Sequence, residues 1–331
     1  MAKILTGIQS TGTPHLGNIL GAIIPAVEMA NSSNEESYLF IANMHSLTQI
    51  KDQNILKENT FLTAATWLAF GLDSKKSCFF RQSDVPEVTE LAWYLSCFFP
   101  YQRLKLAHSF KDKSDNLKDV NSGLFSYPML MSADILMYDA DIVPVGKDQE
   151  QHLEMARNFV QRFNHRYGEV FPEPQAFNFG SELVKVPSLD GTGKMSKSEN
   201  NLATLYLADD DDTIRKKVMK AKTDAGPTAP NTPKPDYIEN IFLLMELVSE
   251  PATISAFEEA YRGCTIRYGD LKKQLAEDMI RFMAPIREKA ALLQKDTSYL
   301  EKIMKQGAEK ARASAAATMS IVRKSMGLNY Y

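Results

Sequence analysis

The sequence predicts an α/β protein in which a parallel sheet is followed by a part made only of helices. Short apolar runs, typical of buried strands, alternate with longer runs of helical periodicity before about residue 209. Such an alternation favours parallel strands joined by right-handed crossovers. From Asp209 onward the patterns are helical apart from one proline-rich loop, which indicates a second part of different architecture.

Length and composition fit a globular protein with two domains. The 331 residues, 44% hydrophobic and 24% charged, are enough for two hydrophobic cores. With a net charge of −3, an RNA partner must meet a local basic patch. Cys78, Cys97 and Cys264 lie far apart without a C-x-x-C pair, so neither structural zinc nor a disulfide framework is expected. The absence of a signal-peptide pattern and of a long apolar span favours a cytoplasmic protein.

The first strand, Ile4–Leu5, leads through a polar loop into a helix. The loop Gln9–Thr13 contains one glycine, and the helix over Leu16–Ala30 has apolar residues at helical spacing. This order places backbone N–H groups and a helix N-terminus where they can meet a phosphate. The glycine fingerprint of dinucleotide-binding folds is absent, so a dinucleotide is not indicated.

Two further strands are each followed by polar residues, at the end where α/β sheets hold ligands. They are Tyr38–Ile41, followed by Ala42–Ser46, and Cys78–Phe80, followed by Arg81–Asp84. The helices expected after them cover about 54–70 and 86–98.

The segment Tyr101–Asn121 interrupts the alternation of strands and helices. It is basic and has little apolar periodicity, which fits either a solvated surface segment or an insertion between two halves of the sheet. A helix over Ser126–Leu136 follows, with Asp134 among apolar neighbours. Because an ionised carboxylate is seldom buried without a partner, Asp134 is either paired inside the protein or exposed on the polar face of its helix.

A fourth strand, Asp141–Val145, ends in the polar run Gly146–His152, which opens a helix to about Phe163. The last strand is predicted at Glu182–Val186. A proline-rich loop covers 225–235, and the C-terminal helices are expected at about 214–222, 237–248, 270–293 and 300–326.

Two loops contain the residue types that are suited to binding and moving a phosphate. Gly193–Asn200 holds two lysines and two serines, and lysine is a flexible, compact charge suited to a phosphate that shifts during reaction. A solvated basic loop is the alternative. Together with Thr13–Asn18, this loop resembles the signature motifs of class I aminoacyl-tRNA synthetases. The KMSKS motif is matched in full, whereas in the HIGH motif His15 and Gly17 stand but Asn18 replaces the terminal histidine.

Other stretches are similar to the bacterial tryptophanyl-tRNA synthetase family, and they extend over nearly the whole chain. They are Gly7–Gln9, Tyr127–Leu136, Asp141–Gln149, Gly307–Ala311 and Met326–Leu328. The resemblance implies a Rossmann-like catalytic domain over 1–206, with a connecting insertion at about 101–140. It also implies a helical domain over 207–331 that binds the tRNA anticodon, and a homodimer.

The activity implied by the resemblance is the charging of tRNA(Trp). ATP would convert L-tryptophan to its adenylate with release of pyrophosphate, and tryptophan would pass to the 3′ end of the tRNA. Mg²⁺ would be carried by the oxygens of the nucleotide, with no metal ligand from the protein. Exposed basic residues of the last helices, such as Lys310, Arg312 and Arg323, would meet the tRNA.

The resemblance also assigns site residues. The catalytic residues would be His15, Lys111, Lys194 and Lys197, with Lys113 near the phosphates as well. The nucleotide would be bound by Gln9, Ser10, Thr11, Gly17, Asn18, Gly146, Lys147, Asp148, Val186, Lys194, Met195, Ser196, Lys197 and Ser198. Tryptophan would be bound by Asp134, Tyr127, Met131, His45, Val145 and Gln149, with the Asp134 carboxylate accepting the indole N–H.

Some features depart from the family pattern, and other functions remain open. Leu5 stands where an aromatic residue often lines the indole pocket, Asn43 replaces an acid, and the loop before Lys194 is one residue short. Tyrosyl-tRNA synthetases share the fold. The alternatives outside tRNA charging are a nucleotidyltransferase acting on a phosphorylated metabolite and a synthetase-like protein that binds RNA or amino acid without catalysis.

Overall fold

The computed structural model describes residues 3–105, 120–144, 150–177, 186–191, 193–196 and 202–330. The chain divides into two compact units built from non-consecutive segments. The first unit comprises residues 1–12, 26–181 and 296–331, and the second comprises 13–25 and 182–295. The division into functional domains at residue 206 stays a prediction, because compactness does not assign function.

The first unit contains a five-stranded parallel sheet, which confirms the α/β prediction. The strand order is β3-β2-β1-β4-β5, and the bounds are Lys3–Ile8 for β1, Glu36–Ile41 for β2, Cys78–Arg81 for β3, Ile142–Pro144 for β4 and Gln175–Phe177 for β5. The order reverses direction at β1, which pairs with β2 on one side and with β4 on the other. Open α/β sheets bind ligands beyond the carboxyl ends of their strands at such a reversal.

Helices surround the sheet of the first unit and form most of the second. Their bounds are Leu16–Asn18 for α1, Ile24–Ser32 for α2 after a π-helical turn over Ile19–Ile23, Asn43–Ser46 for α3, Gln53–Ala69 for α4, Glu87–Phe98 for α5, Tyr101–Lys105 for α6, Ser122–Met137 for α7, Glu150–Tyr167 for α8, Asp211–Met219 for α9, Asp236–Val248 for α10, Pro251–Arg262 for α11, Tyr268–Lys295 for α12 and Thr297–Ser325 for α13. None of the described helices is long and apolar enough to span a membrane.

Capping explains where several helices begin. Helix α7 begins four residues before its predicted start because the Asn121 side chain accepts the N–H of Leu124 at 3.1 Å. Helix α9 begins at Asp211 because the Asp210 carboxylate accepts the N–H of Thr213 at 2.7 Å. Strand β5 and the helices α3, α6 and α11 were not predicted. The predicted strand Glu182–Val186 lies outside the described residues except for Val186.

The last helix, α13, packs against β3 of the same unit. A Cβ atom on Gly307 would lie 2.0 Å from the carbonyl oxygen of Phe79, so only glycine permits this approach. The Cys78 thiol donates to the Gly307 carbonyl at 3.0 Å, and burial raises the pKa of that thiol to about 12. This hydrogen bond joins residues that are 229 positions apart in the sequence. The C-terminal helix is part of the unit that contains the sheet.

Two basic side chains of α13, those of Arg312 and Arg323, donate hydrogen bonds to other residues of this unit. The Arg323 side chain is partly buried, and its Nε donates to Glu90 Oε1 at 2.7 Å, while a second nitrogen bonds Oε2. Arg312 donates to the carbonyl oxygen of Asp84. Arg312 is exposed as expected, whereas Arg323 is intermediate, with 37% of its side chain exposed and its guanidinium paired with helix α5. Lys310 is exposed, as expected.

We expect Arg323→Ala to lower the free energy of unfolding by about 1 kcal/mol or less near neutral pH, since the pair is only partly buried. The hydrogen bond from Arg323 lowers the pKa of Glu90 below its ordinary value of 4.5. A depressed carboxyl pKa contributes stability that is present above the ordinary value and is lost as pH falls through the lowered one. The difference between the wild type and Arg323→Ala should therefore shrink in acid.

Urea unfolding near neutral pH and below the ordinary pKa of Glu90 measures this difference. Lys310→Ala, an exposed substitution on the same helix, is the control and should have a smaller effect at both pH values. A stability difference for Arg323→Ala that does not change with pH would show that the Glu90 carboxylate is not its partner in solution.

The second unit has its own hydrophobic core. Leu271, Leu275, Met279 and Met283 of the predicted stripe on α12 are buried, whereas Ile286, its fifth residue, is half-buried. The four buried residues pack with side chains of α9 and α10, with Leu16 and Met195 from the two signature loops, and with Val186, which precedes the lysine–serine loop. The core therefore holds parts of both loops in one compact body.

Candidate active site

The histidine loop begins helix α1 through a reciprocal cap. The Asn18 backbone N–H donates to His15 Nδ1 at 3.2 Å, and the His15 backbone N–H donates to the Asn18 side-chain oxygen at 3.2 Å. Because Nδ1 accepts a hydrogen bond, the neutral imidazole carries its proton on Nε2. The backbone N–H of Asn18 thus sets the tautomer of His15, while the Asn18 side chain, which replaces the terminal histidine of the motif, bonds the His15 backbone.

The lysine–serine loop starts from a hairpin. Met195 donates its backbone N–H to the Val186 carbonyl at 2.8 Å, and Pro187 pairs with Lys194 in an isolated antiparallel bridge. The Met195 side chain is buried in the core of the second unit, whereas Lys194 and Ser196 are exposed. The sequence predicted Lys194, Met195 and Ser196 as nucleotide-binding residues, but only Lys194 and Ser196 present a side chain at the surface.

The two loops touch within the second unit. A Cβ atom on Gly17 would lie 3.2 Å from the Met195 carbonyl oxygen and 3.0 Å from the ring of His15. Glycine therefore allows the close approach, since a side chain would press on backbone and imidazole at once. Gly17 and Met195, which are 178 positions apart in the sequence, are therefore neighbours in the structure.

The loop after β1 belongs to the first unit and is anchored by a hydroxyl cluster. Ser10 is buried, its Oγ lies 3.1 Å from Ser46 Oγ, and Thr60 donates to it at 3.4 Å. Gln9 is exposed and Thr11 is half-buried. The Ser10 hydroxyl is thus engaged with α3 and α4, while Gln9 offers a side chain at the carboxyl end of β1.

A buried carboxylate lies at the centre of a second cluster in the first unit. Asp134 is 2% exposed, so the alternative of an exposed carboxylate is wrong. Its Oδ2 lies 2.9 Å from His45 Nε2, and Gln82 Nε2 donates to Oδ1 at 2.9 Å and to Oδ2 at 2.8 Å. Burial raises the pKa of the Asp134 carboxyl, and the hydrogen bonds from His45 and Gln82 oppose this rise.

Sequence reasoning missed Gln82. Its Oε1 accepts the backbone N–H groups of Met44 at 3.1 Å and of His45 at 3.3 Å, so one amide connects the ends of β2 and β3 to Asp134. The available signal was its place directly after β3, where polar residues in α/β folds meet ligands. Among the described residues His45 Nδ1 is buried without a hydrogen-bond partner.

Tyr127 and Met131 share the helix of Asp134. They precede it by seven and three positions, a spacing that puts all three on one face of α7. The Tyr127 hydroxyl lies 2.7 Å from His152 Nε2, and its ring meets the ring of His45 edge-on at 6.1 Å. Met131 is half-buried. The structure thus brings together the predicted tryptophan residues Asp134, His45 and Tyr127.

The remaining predicted site residues lie outside the described parts of the chain. They are Lys111, Lys113, Val145, Gly146, Lys147, Asp148, Gln149, Lys197 and Ser198. Within the described ranges no group of three His, Cys, Asp or Glu side chains is placed to hold a metal ion.

The parallel sheet and the contact between the two loops define a class of enzyme, the class I aminoacyl-tRNA synthetases. The family model "tRNA synthetases class I (W and Y)" matches residues 1–284. A tryptophan–tRNA ligase from Porphyromonas gingivalis is 47% identical over 329 residues, which cover 99% of both chains. The chain belongs to the tryptophan–tRNA ligases of the class I synthetase family.

Solved structures agree with this assignment. The tryptophanyl-tRNA synthetase of Campylobacter jejuni, in complex with ADP and tryptophan, is 38% identical and superposes with a TM-score of 0.88 over 98% of this chain and 100% of that one. The tyrosyl-tRNA synthetase of Aeropyrum pernix is 20% identical, with a TM-score of 0.66 over 92% of this chain and 89% of that one, and shows the fold alone.

Proposed function

We propose that this chain is a tryptophan–tRNA ligase. A carboxylate oxygen of L-tryptophan attacks the α-phosphorus of ATP, the bond from that phosphorus to the oxygen bridging to the β-phosphate breaks, and pyrophosphate leaves. A hydroxyl at the 3′ end of tRNA(Trp) then attacks the adenylate carbonyl, and AMP leaves. Both steps depend on positioning and on stabilisation of charge more than on a protein nucleophile.

The observation that carries the proposal is the contact of the histidine loop with the lysine–serine loop. The cap from Asn18 directs the Nε2–H of His15 away from its own helix, as a donor for a phosphate oxygen. Lys194 and Lys197 would stabilise the charge that develops as pyrophosphate separates, and Lys111 would assist at the phosphates. Mg²⁺ would accompany ATP on the oxygens of the nucleotide.

The other nucleotide residues have different parts in this proposal. Gly17 lets the backbone of the lysine–serine loop approach the histidine loop, while Gln9 and Thr11 line the carboxyl end of β1. The buried Ser10 hydroxyl anchors the loop after β1, and the buried Met195 side chain anchors the lysine–serine loop. Asn18 acts through His15, and Val186 through the hairpin. Gly146, Lys147, Asp148, Ser196 and Ser198 remain proposed nucleotide contacts.

Tryptophan specificity would come from the Asp134 cluster. A carboxylate offers about four lone-pair positions, and His45 and Gln82 use three of them, so one is left for the indole N–H. Tyr127 and Gln149 would hold the amino group, with Met131 and Val145 against the indole ring. Phenylalanine has no ring N–H, so it would leave that position of the carboxylate unpaired.

The proposed partners follow from the same function. The tRNA would meet exposed basic side chains of the helical part, of which Lys310 is one. The proposed location is the cytoplasm, where charged tRNA is used.

We also propose a homodimer that uses the surface of α5 and α6. Trp93 is 68% exposed and Tyr101 is 61% exposed, and aromatic side chains, unlike an exposed leucine, are enriched at protein interfaces. Trp93→Asp should shift sedimentation of the chain from dimer toward monomer, because it would place a charge in the interface. Leu292→Asp, an equally exposed site on α12, is the control and should leave the dimer intact. Equal sedimentation of both variants and the wild type would rule out this surface.

The experiment that tests the function is ATP–pyrophosphate exchange with each amino acid, followed by charging of tRNA(Trp). We expect exchange with tryptophan far above tyrosine and phenylalanine. Exchange that prefers tyrosine would assign the chain to the other branch of its family, and exchange with no amino acid would contradict catalysis. Exchange without charging would leave a protein that activates tryptophan but does not transfer it.

A further inference from the structure

One segment of the second unit, Ala203–Asp209, is bonded to both signature loops. On the histidine loop, Leu16 donates its backbone N–H to the Leu205 carbonyl at 2.8 Å, and Leu207 donates to the Pro14 carbonyl at 3.0 Å. On the lysine–serine loop, the Thr204 hydroxyl donates to the Ser196 carbonyl at 2.8 Å. We refer to Ala203–Asp209 as the strap.

The strap is held in turn by a buried lysine of α9. Only 6% of the Lys217 side chain is exposed, and its ammonium donates to the Thr204 carbonyl at 2.9 Å and to the Asp209 carboxylate at 2.7 Å. It also lies 5.1 Å from the centre of the Tyr206 ring. A buried ammonium needs such partners because it has lost its water, so these contacts fix the strap to α9.

A second cation, Arg287 of α12, holds the end of the strap. Its guanidinium donates to the Asp209 carbonyl and pairs with the carboxylate of Asp211. The Asp209 carboxylate also accepts the backbone N–H of Tyr206 at 2.9 Å. The turn at 206–209 is therefore fixed from two helices of the same unit.

Thr204 is the point at which these contacts converge. Its carbonyl accepts a hydrogen bond from the Lys217 ammonium. Its hydroxyl donates to the carbonyl of Ser196, the residue that precedes Lys197 in the sequence. Tyr206 pairs with His15 through an isolated antiparallel bridge, and the two rings meet edge-on at 6.4 Å. A displacement of the strap would therefore move the histidine loop and the lysine–serine loop relative to each other.

We propose that the strap sets the spacing of the two signature loops and that Lys217 and Thr204 are positioning residues for adenylate formation. The inference rests on the proposed function. Neither residue needs to touch ATP, because each acts through the backbone that carries His15 or Ser196. A misplacement of about 1 Å can slow a reaction about 100-fold, so small shifts at the strap are sufficient.

The test uses near-isosteric substitutions in the full-length chain. Thr204→Val removes only the hydroxyl that reaches Ser196, whereas Thr204→Ser keeps it. Lys217→Met removes the charge and keeps the length of the side chain. We expect Thr204→Val and Lys217→Met to lower kcat for ATP–pyrophosphate exchange about 10- to 100-fold. The KM for tryptophan should stay within about twofold, because the Asp134 cluster belongs to the first unit.

A matched control separates positioning from stability. Lys272 of α12 is another buried lysine of the second unit, and its ammonium donates to the carbonyls of Met219 and Ala221, outside the strap. Lys272→Met should lower the melting temperature but leave kcat near the wild-type value at a temperature where the chain is folded. Thr204→Ser should restore the wild-type rate.

The outcomes are distinct. If folded Thr204→Val has wild-type kcat, or if Lys272→Met slows exchange as much as Lys217→Met, the strap is only structural and the inference is wrong. If Lys217→Met does not fold, the comparison of Thr204→Val with Thr204→Ser decides. Exchange by the wild-type chain tests the proposed function separately, so failure of the one is not mistaken for failure of the other.

Discussion

Lys194→Ala and Lys197→Ala are each expected to slow adenylate formation about 100- to 1000-fold, the usual effect of removing one donor that stabilises charge in the transition state. Lys194 is exposed at the end of the hairpin that begins the loop, and its charge is available to a phosphate. Tryptophan binding should hardly change, because the loop acts on the phosphates. Rapid-quench kinetics of adenylate formation, with tryptophan binding measured separately, gives both quantities.

Lys220→Ala is the matched control for these lysines. It removes an exposed lysine from the C-terminal end of α9, in the same unit. It should change neither the rate nor the affinity. Wild-type rates in both Lys194→Ala and Lys197→Ala would mean that the loop is solvated surface, and the catalytic assignment would be wrong.

Asp134→Ala is expected to reduce the preference for tryptophan over phenylalanine about 10- to 100-fold, since a hydrogen bond to a charged group contributes about 1.5–3 kcal/mol. The variant should also be less stable, because it leaves the Gln82 amide and the His45 ring without their carboxylate. The ratio of kcat/KM values for the two amino acids is the measurement of choice, because it does not depend on the fraction of enzyme that is folded.

Two further variants sharpen this test. Asp134→Asn keeps an acceptor oxygen without the charge, so it should retain part of the preference. Asp278→Ala removes another buried carboxylate, on α12 in the second unit, and should lower stability without changing the preference. If Asp134→Ala selects tryptophan as well as the wild type does, the carboxylate does not read the indole.

Local patterns were enough to predict most of the architecture. Four of the five predicted strands correspond to β1–β4, because short apolar runs there end in polar clusters, and the stripe of α12 was predicted because it repeats at helical spacing. Strand β5 was missed because three residues, Gln175–Phe177, contain no periodicity. Helix α11 was missed because only Tyr261 of its side chains is fully buried, which leaves a weak pattern.

The candidate site was predicted less completely, because its contacts join distant residues. Asp134 was identified from an acid among apolar neighbours, but its partner Gln82 lies 52 positions earlier. The cap between His15 and Asn18 is local, yet its meaning for the tautomer required the observed hydrogen bond. No spacing rule in the sequence predicts that a glutamine directly after a strand will bond to an aspartate on a helix 52 positions later.

The sequence by itself determined the class of fold, the two signature loops and the tryptophan family, because these depend on residue types at short, regular spacings. Only the tertiary structure decided that Gly17 meets the backbone of Met195, that Gly307 lies on β3, and that Lys217 holds the strap. These contacts form when segments far apart in the chain pack together. Their partners are chosen by the shape of the whole core, which no local pattern encodes.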